Sequence, residues 1–129
     1  MNNTWTQLPW VALGSALGGL ARFHVGGWVT RLSASAFPWG TLAVNVSGGL
    51  AAGMAWALLA DTGPRALEAL LLSGLLGGYT TVSSFSLQTL TLLRQGHPVQ
   101  ALGNLTASAL LCLGAAALGY WLAGLGIPA

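Results

Sequence analysis

The segment of residues 74–85, GLLGGYTTVSSF, constrains this chain most, because it lies inside an apolar stretch, 67–93, that is long enough to cross a membrane. The midpoint of that stretch is Thr80, next to paired glycines and four hydroxyl residues. Backbone that is not helical at membrane depth is tolerated only where it is buried in protein or lines a water-filled cavity. Broken helices at the midplane commonly bind small ions. The segment therefore predicts a helix that is interrupted at the membrane midplane.

Composition places the whole chain in the membrane. The 129 residues are 54% hydrophobic and 5% charged, whereas a soluble domain carries about 25% charged residues. We therefore expect the lipid bilayer to surround the protein. The formal net charge of +2 comes from arginines without any lysine. Since no basic cluster is present, we expect no nucleic-acid partner.

Four apolar stretches of about the length of a membrane crossing can be read along the chain. They predict an all-α integral membrane protein with one four-helix domain over residues 1–129 and spans at 8–29, 38–59, 67–93 and 99–123. The links between spans are short and hold most of the turn residues. The six tryptophans lie near span ends, as an aromatic belt at the membrane surfaces would place them.

The arginines specify the orientation of the chain only weakly. With four spans, both termini share a side with Arg65, while Arg31 and Arg94 lie on the other side. This small difference is a weak bias under the positive-inside rule. It favours insertion in both orientations and predicts an antiparallel homodimer around a two-fold axis in the membrane plane.

Glycines four residues apart predict close helix packing. Such spacing lets helix backbones approach each other, either within one subunit or between two. The pairs are Gly14/Gly18, Gly49/Gly53 and Gly74/Gly78.

Polar side chains inside the spans are candidates for a binding site. Asn45 is an amide that cannot satisfy itself within its own helix, so it requires a partner. Asn104, Ser108 and Cys112 follow one another at four-residue spacing and share one face of the fourth span. Arg22, about two turns from the end of the first span, either extends to the interface or places a positive charge at a cavity mouth.

The residue types that are absent from the spans exclude other functions. No acidic residue lies in the core of a span, although a proton-coupled exporter of cationic drugs needs an embedded carboxylate. No nucleophile with a base and no metal cluster is visible, so we expect no enzyme activity. Neutral donors, one arginine and the positive ring edge of Phe85 suit a small hydrated anion.

Four pieces of the sequence, in order and over nearly the whole chain, resemble the Fluc/CrcB family of fluoride channels. They are GGLARF at 18–23, FPWGTLAVNVSGG at 37–49, GLLGGYTTVSSFS at 74–86, and the pair Asn104 and Ser108. The resemblance implies passive, selective export of fluoride across the inner (plasma) membrane by an antiparallel dual-topology homodimer with two pores. It also implies a structural Na⁺ at the two-fold axis, bound by the backbone carbonyls of Gly77 and Thr80.

The resemblance also assigns individual residues. It implies that Asn45 and Phe85 line the pore and that Arg22 lies in the vestibule. Further pore-lining positions carried over by motif are Ser83, Ser84, Ser108 and Cys112. The family motif TTFSTF reads TTVSSF here, so Val82 replaces a pore phenylalanine, and Gln88 stands where the family has a glutamate.

Two other functional classes remain compatible with four short spans. A small multidrug-type antiporter would also form dual-topology dimers, but it would need the missing carboxylate. A non-conducting structural membrane protein would need only the glycine pairs, and the polar residues on three spans argue against it.

Overall fold

The computed structural model describes residues 4–126, and every regular element within that range is helical. The all-α prediction is therefore confirmed. A short 3₁₀ helix, Thr4–Gln7, leads into α1. The elements that follow are α1 (Leu8–Ser33), α2 (Trp39–Leu59), α3 (Arg65–Glu68), the π-helix π1 (Ala69–Leu76), α4 (Gly77–Tyr79), α5 (Ser83–Arg94) and α6 (Pro98–Gly124).

Three helical segments are long and apolar enough to cross a membrane, so the chain is a multi-pass membrane protein. They are Trp39–Leu59, Arg65–Arg94 and Pro98–Gly124, and they overlap the second, third and fourth predicted spans. The helix α1 is not among these three. Its 26 residues would extend about 39 Å at 1.5 Å per residue. The four-span arrangement stays a prediction.

Prolines mark where several helices begin, and residues with a left-handed backbone conformation follow where others end. Pro9 and Pro98 occupy the first positions of α1 and α6, where the missing backbone N–H costs nothing. The helix α1 ends at Ser33, and the next residue, Ala34, has a φ of 41°, which lies in the left-handed region. Gly96, with a φ of 78°, follows α5 and turns the chain toward α6.

The most extensive helix contact joins α2 to α6, and glycines make it possible. A Cβ atom on Gly53 would overlap the carbonyl oxygen of Ala116, and one on Gly119 would overlap that of Leu50. A Cβ atom on Gly49 would lie 3.0 Å from the carbonyl oxygen of Cys112. Only hydrogen fits at Gly53 and Gly119, so the two backbones lie in direct contact there.

The remaining two glycine pairs join α1 to π1 and α4. A Cβ atom on Gly78 would lie 2.6 Å from the carbonyl oxygen of Ser15, and one on Gly74 would lie 2.9 Å from the Cα atom of Gly14. Gly18 similarly faces the backbone of Leu75. All three predicted pairs therefore pack helices within a single chain.

The buried apolar core is small and the exposed apolar surface is large. Large residues such as Leu110, Leu113 and Trp121 are more than half exposed. Exposure of this kind is expected where hydrocarbon rather than water is the solvent. The buried apolar residues are Leu42, Val44, Ala69, Leu76, Leu92 and Ala101.

Candidate functional site: a helix break beside an open groove

The third helical segment is interrupted between Tyr79 and Ser83. The amide of Thr80 still donates to the carbonyl of Leu76 at 3.0 Å. Thr80 then adopts an extended conformation, with φ −77° and ψ 158°, and the helix begins again at Ser83. The eight-residue π-helix π1 precedes the break. Helices of this type are rare and often occur at functional sites.

The side chain of Asn45, on α2, binds the backbone at this break through both of its polar ends. Its Nδ2 atom donates to the carbonyl of Thr81 at 2.8 Å, and its Oδ1 atom accepts the amide of Thr81 at 2.8 Å. Thr81 is buried, with 7% of its surface exposed. Leaving a buried backbone group without a partner costs about 1–3 kcal/mol. Asn45 thus supplies the two bonds that the interrupted helix does not.

The hydroxyl of Thr81 satisfies the start of the next helix. Its Oγ1 atom accepts the amide of Ser84 at 3.2 Å and shares a hydrogen bond with the hydroxyl of Ser83 at 3.2 Å. The first amides of a helix have no intrahelical acceptor, and a side-chain oxygen commonly satisfies one of them. Thr81 therefore connects α2, the break and α5.

These bonds change the environment of two backbone carbonyls. In a continuous helix the amide of Thr81 would bond to the carbonyl of Gly77, and the amide of Ser84 to that of Thr80. Both amides instead bond to side chains. The Nη1 atom of Arg22 donates to the carbonyl of Thr80 at 3.3 Å. Arg22 thus turns toward the break, and its role as a positive charge at a cavity mouth stays a prediction.

An open groove of about 770 Å³ runs beside the break, and it is lined by α2, α6 and the third helical segment. Gly77 and Thr80 contribute to its wall. Most of the other lining residues are apolar, such as Leu72 and Leu105. The groove brings together the predicted pore residues Asn45, Val82, Phe85, Ser108 and Cys112.

Three predicted site residues lie outside the groove wall. Ser83 and Ser84 are in the first turn of α5, where they bond to Thr81 by a hydroxyl and an amide respectively. Arg22 reaches the break from α1. Val82 lines the groove with 76% of its surface exposed.

A second polar network supports the part of the groove formed by Phe85 and Ser108. Asn104 is 2% exposed, and its Nδ2 atom donates to the Oγ1 atom of Thr89 at 2.9 Å. The hydroxyl of Thr89 donates in turn to the carbonyl of Phe85 at 2.8 Å. The hydroxyl of Ser108 lies 3.5 Å from the Oδ1 atom of Asn104, at the long limit for a hydrogen bond.

Sequence reasoning did not assign roles to two residues of these networks. Thr81 was visible only as one hydroxyl in a cluster, and Thr89 carried no signal beyond its place on an apolar helix. Their roles depend on amide side chains from other helices, Asn45 and Asn104. Gln88, which departs from the family pattern, has a buried Oε1 atom without a hydrogen-bond partner in the range 4–126.

Comparison with known proteins places this geometry in context. A family described as CrcB-like protein, Camphor Resistance (CrcB), matches residues 9–120. A protein of Bradyrhizobium diazoefficiens named fluoride-specific ion channel FluC 2 is 47% identical over 121 residues, which cover 90% of this chain and 88% of the relative. A protein of the same name from Rhodopseudomonas palustris is 49% identical over 120 residues, with 88% and 89% covered. The fluoride-specific ion channel FluC of Methylocella silvestris is 45% identical over 115 residues, with 86% and 88% covered.

Proposed function

The chain belongs to the CrcB family, and from this premise we propose that it is a fluoride-selective channel through which fluoride leaves the cell passively. The observation that carries the proposal is the near-half identity, over about nine-tenths of the chain, to a relative named fluoride-specific ion channel. The names of these relatives are those of channels, in agreement with the expectation that the chain is not an enzyme. As a multi-pass protein with this role, it would reside in the inner (plasma) membrane.

The chemistry of the groove supports an anion as the transported species. The groove wall carries neutral donors, the amide of Asn45 and the hydroxyl of Ser108, and no acidic side chain. Asn45 uses one N–H bond on the carbonyl of Thr81, and its second N–H remains available to a ligand. A small anion that loses water needs such donors, since each missing partner at a desolvated site costs about 1–3 kcal/mol.

The orientation of α5 adds to this support. The break places the N-terminus of a 12-residue helix beside the groove, where Val82 and Phe85 line the wall. Helix N-termini carry partial positive charge and present amide N–H groups. The edge of the Phe85 ring is also positive. Ser83 and Ser84 would then contribute hydroxyls at the entrance to the path rather than in its wall.

An antiparallel homodimer would close the groove. One chain leaves it open on one side, so an ion inside it would be only partly shielded from its surroundings. A second copy related by a two-fold axis in the membrane plane would cover the groove and give two equivalent pores. Tagging the C-terminus and testing its accessibility in intact cells and in inside-out vesicles checks this arrangement. Labelling in both preparations is expected, while labelling in only one contradicts the antiparallel dimer.

A structural Na⁺ is compatible with the oxygens at the break. Na⁺ is a hard cation, and the carbonyls of Gly77 and Thr80 are relieved of their helical amide donors. Unwound backbone carbonyls bind Na⁺ in broken membrane helices. The guanidinium of Arg22 donates to the Thr80 carbonyl and would repel a second cation nearby. The carbonyl oxygen has two lone pairs, however, so one remains for Na⁺. The donor set fits Na⁺, and the ion would hold the breaks of two subunits together.

Passive efflux from liposomes tests the function. Purified protein is reconstituted into vesicles loaded with potassium fluoride, a potassium ionophore is added, and external fluoride is followed with an electrode. Rapid loss of fluoride is expected, with potassium chloride retained in parallel vesicles. Fluoride release no faster than from protein-free vesicles would contradict the proposal, and equal release of chloride would contradict its selectivity.

A further inference from the structure

The bonds around Thr81 determine which backbone oxygens at the break lose their helical amide partners. The amide and carbonyl of Thr81 bond to Asn45 at 2.8 Å each, and its hydroxyl accepts the amide of Ser84 at 3.2 Å. Without these bonds, the same amides have the sequence spacing to form helical hydrogen bonds with the carbonyls of Gly77 and Thr80 if the backbone becomes helical. Two side chains therefore compete with helix formation at this point.

We propose that Thr81, held in place by Asn45, is the positioning residue that keeps the carbonyls of Gly77 and Thr80 free of amide partners and so sets the cation affinity of the break. The inference rests on the proposed function only in assuming that Na⁺ binds at these carbonyls. It adds that Asn45, a residue of the groove wall, also acts on the cation site, because Asn45 diverts the Thr81 amide from the carbonyl of Gly77.

The hydrogen bonds made by the side chains of Thr81 and Asn45 can be removed separately. Thr81→Val keeps the shape of the side chain but removes the acceptor of the Ser84 amide, which can then bond to the Thr80 carbonyl. Asn45→Leu removes the acceptor of the Thr81 amide, which can then bond to the Gly77 carbonyl. Thr81→Ser retains the hydroxyl and serves as the conservative variant. Thr91→Val is the matched control, because Thr91 lies on α5, the helix that follows the break, and its hydroxyl bonds back to the carbonyl of Leu87.

The measurement is the thermal unfolding midpoint of the purified full chain in detergent, as Na⁺ replaces N-methyl-D-glucamine at constant ionic strength. A ligand that binds the folded state raises this midpoint, and the stabilisation grows with the logarithm of 1 + [L]/Kd. In the parent and in Thr91→Val, the midpoint is expected to rise with Na⁺. In Thr81→Val and Asn45→Leu, the Na⁺ concentration needed for the same rise should increase about tenfold or more, because a carbonyl engaged by an amide is a poorer ligand. Thr81→Ser should match the parent.

If Thr81 only stabilises the fold and does not affect Na⁺ binding, the unfolding midpoints will show a different pattern. In that case Thr81→Val lowers the midpoint equally in Na⁺ and in N-methyl-D-glucamine, and the proposal is overturned. It is also overturned if the parent shows no dependence on Na⁺. Fluoride efflux is measured on the same preparations. A parent that passes fluoride while Thr81→Val keeps the parental Na⁺ dependence refutes this inference alone, whereas the predicted Na⁺ shifts without any fluoride passage refute the channel alone.

Discussion

Glycine and threonine occur both in the helices of the α2–α6 contact and at the break between α4 and α5. The backbone is a continuous helix in the first region and is interrupted in the second. On α6, the hydroxyl of Thr106 bonds back to the carbonyl of Leu102 at 2.9 Å, and the helix continues. At the break, the hydroxyl of Thr81 accepts an amide, and the helix stops. Glycine and threonine therefore permit an interruption but do not cause one. The difference is that Asn45 reaches the break from another helix and replaces the missing bonds.

The two regions also differ in how much change they should tolerate. The α2–α6 contact depends on backbone shape, because a Cβ atom on Gly53 would overlap the carbonyl of Ala116. The break depends on hydrogen bonds, and its side chains border an open groove. Substitutions in the first region should thus alter folding, and those in the second should alter transport. The following experiments test this division.

The largest effect is expected at the helix contact. Gly53→Ala should lower the free energy of unfolding by about 1–3 kcal/mol or more, because overpacking forces rigid backbones apart. Gly114→Ala is the matched control, since nothing lies within 4 Å of its added methyl group. The control should be neutral or raise stability by about 0.5–1 kcal/mol. Thermal melting followed by size-exclusion chromatography measures both. Equal melting of the two variants would contradict the glycine-packing interpretation.

The next effect is expected at the break. Asn45→Ala removes both bonds to the backbone of Thr81. Fluoride flux should fall about tenfold or more, because ~1.4 kcal/mol corresponds to a factor of ten in rate. Assembly should persist, as judged by elution volume in detergent. Flux is measured by fluoride efflux from liposomes, with Phe85→Ala in parallel. Parental flux in both variants would show that the pore is assigned to the wrong residues.

A smaller effect is expected from the charge next to the break. Arg22→Gln removes a positive charge that lies 3.3 Å from the carbonyl of Thr80. Flux should fall severalfold at low ionic strength and less at high ionic strength, since salt screens the attraction of an anion to a charged entrance. The measurement is fluoride efflux at two concentrations of an impermeant salt. A loss of flux that does not change with salt would mean that Arg22 acts by holding the backbone instead.

The smallest effect is expected at Val82. This side chain is 76% exposed on the groove, so Val82→Phe should fit without displacing neighbours. A second ring edge would restore the aromatic pair implied by the family motif and leave fluoride flux equal or higher. Efflux assays on the parent and the variant, at matched protein density, measure the change. A strong decrease would show that the larger side chain blocks the path.

Much of the architecture could be predicted because it follows from local composition. Long apolar stretches in a chain with 5% charged residues cannot remain in water, so the helical membrane class follows from transfer energetics alone. The spacing of Gly49 and Gly53 similarly predicted a close helix contact. It did not specify the partner, because the same spacing serves contacts within and between chains. The structure assigns that contact to α6 of the same chain.

The candidate site was predictable as a set of residues but not as a set of bonds. The sequence determined by itself that glycines and hydroxyls lie near the middle of an apolar stretch and that Asn45 requires a partner. Only the tertiary structure decided that this partner is the backbone of Thr81, 36 positions away in sequence. The physical reason is that a hydrogen bond acts over about 3 Å. Its formation depends on how α2 packs against the break, and that packing is set by the whole bundle rather than by either segment.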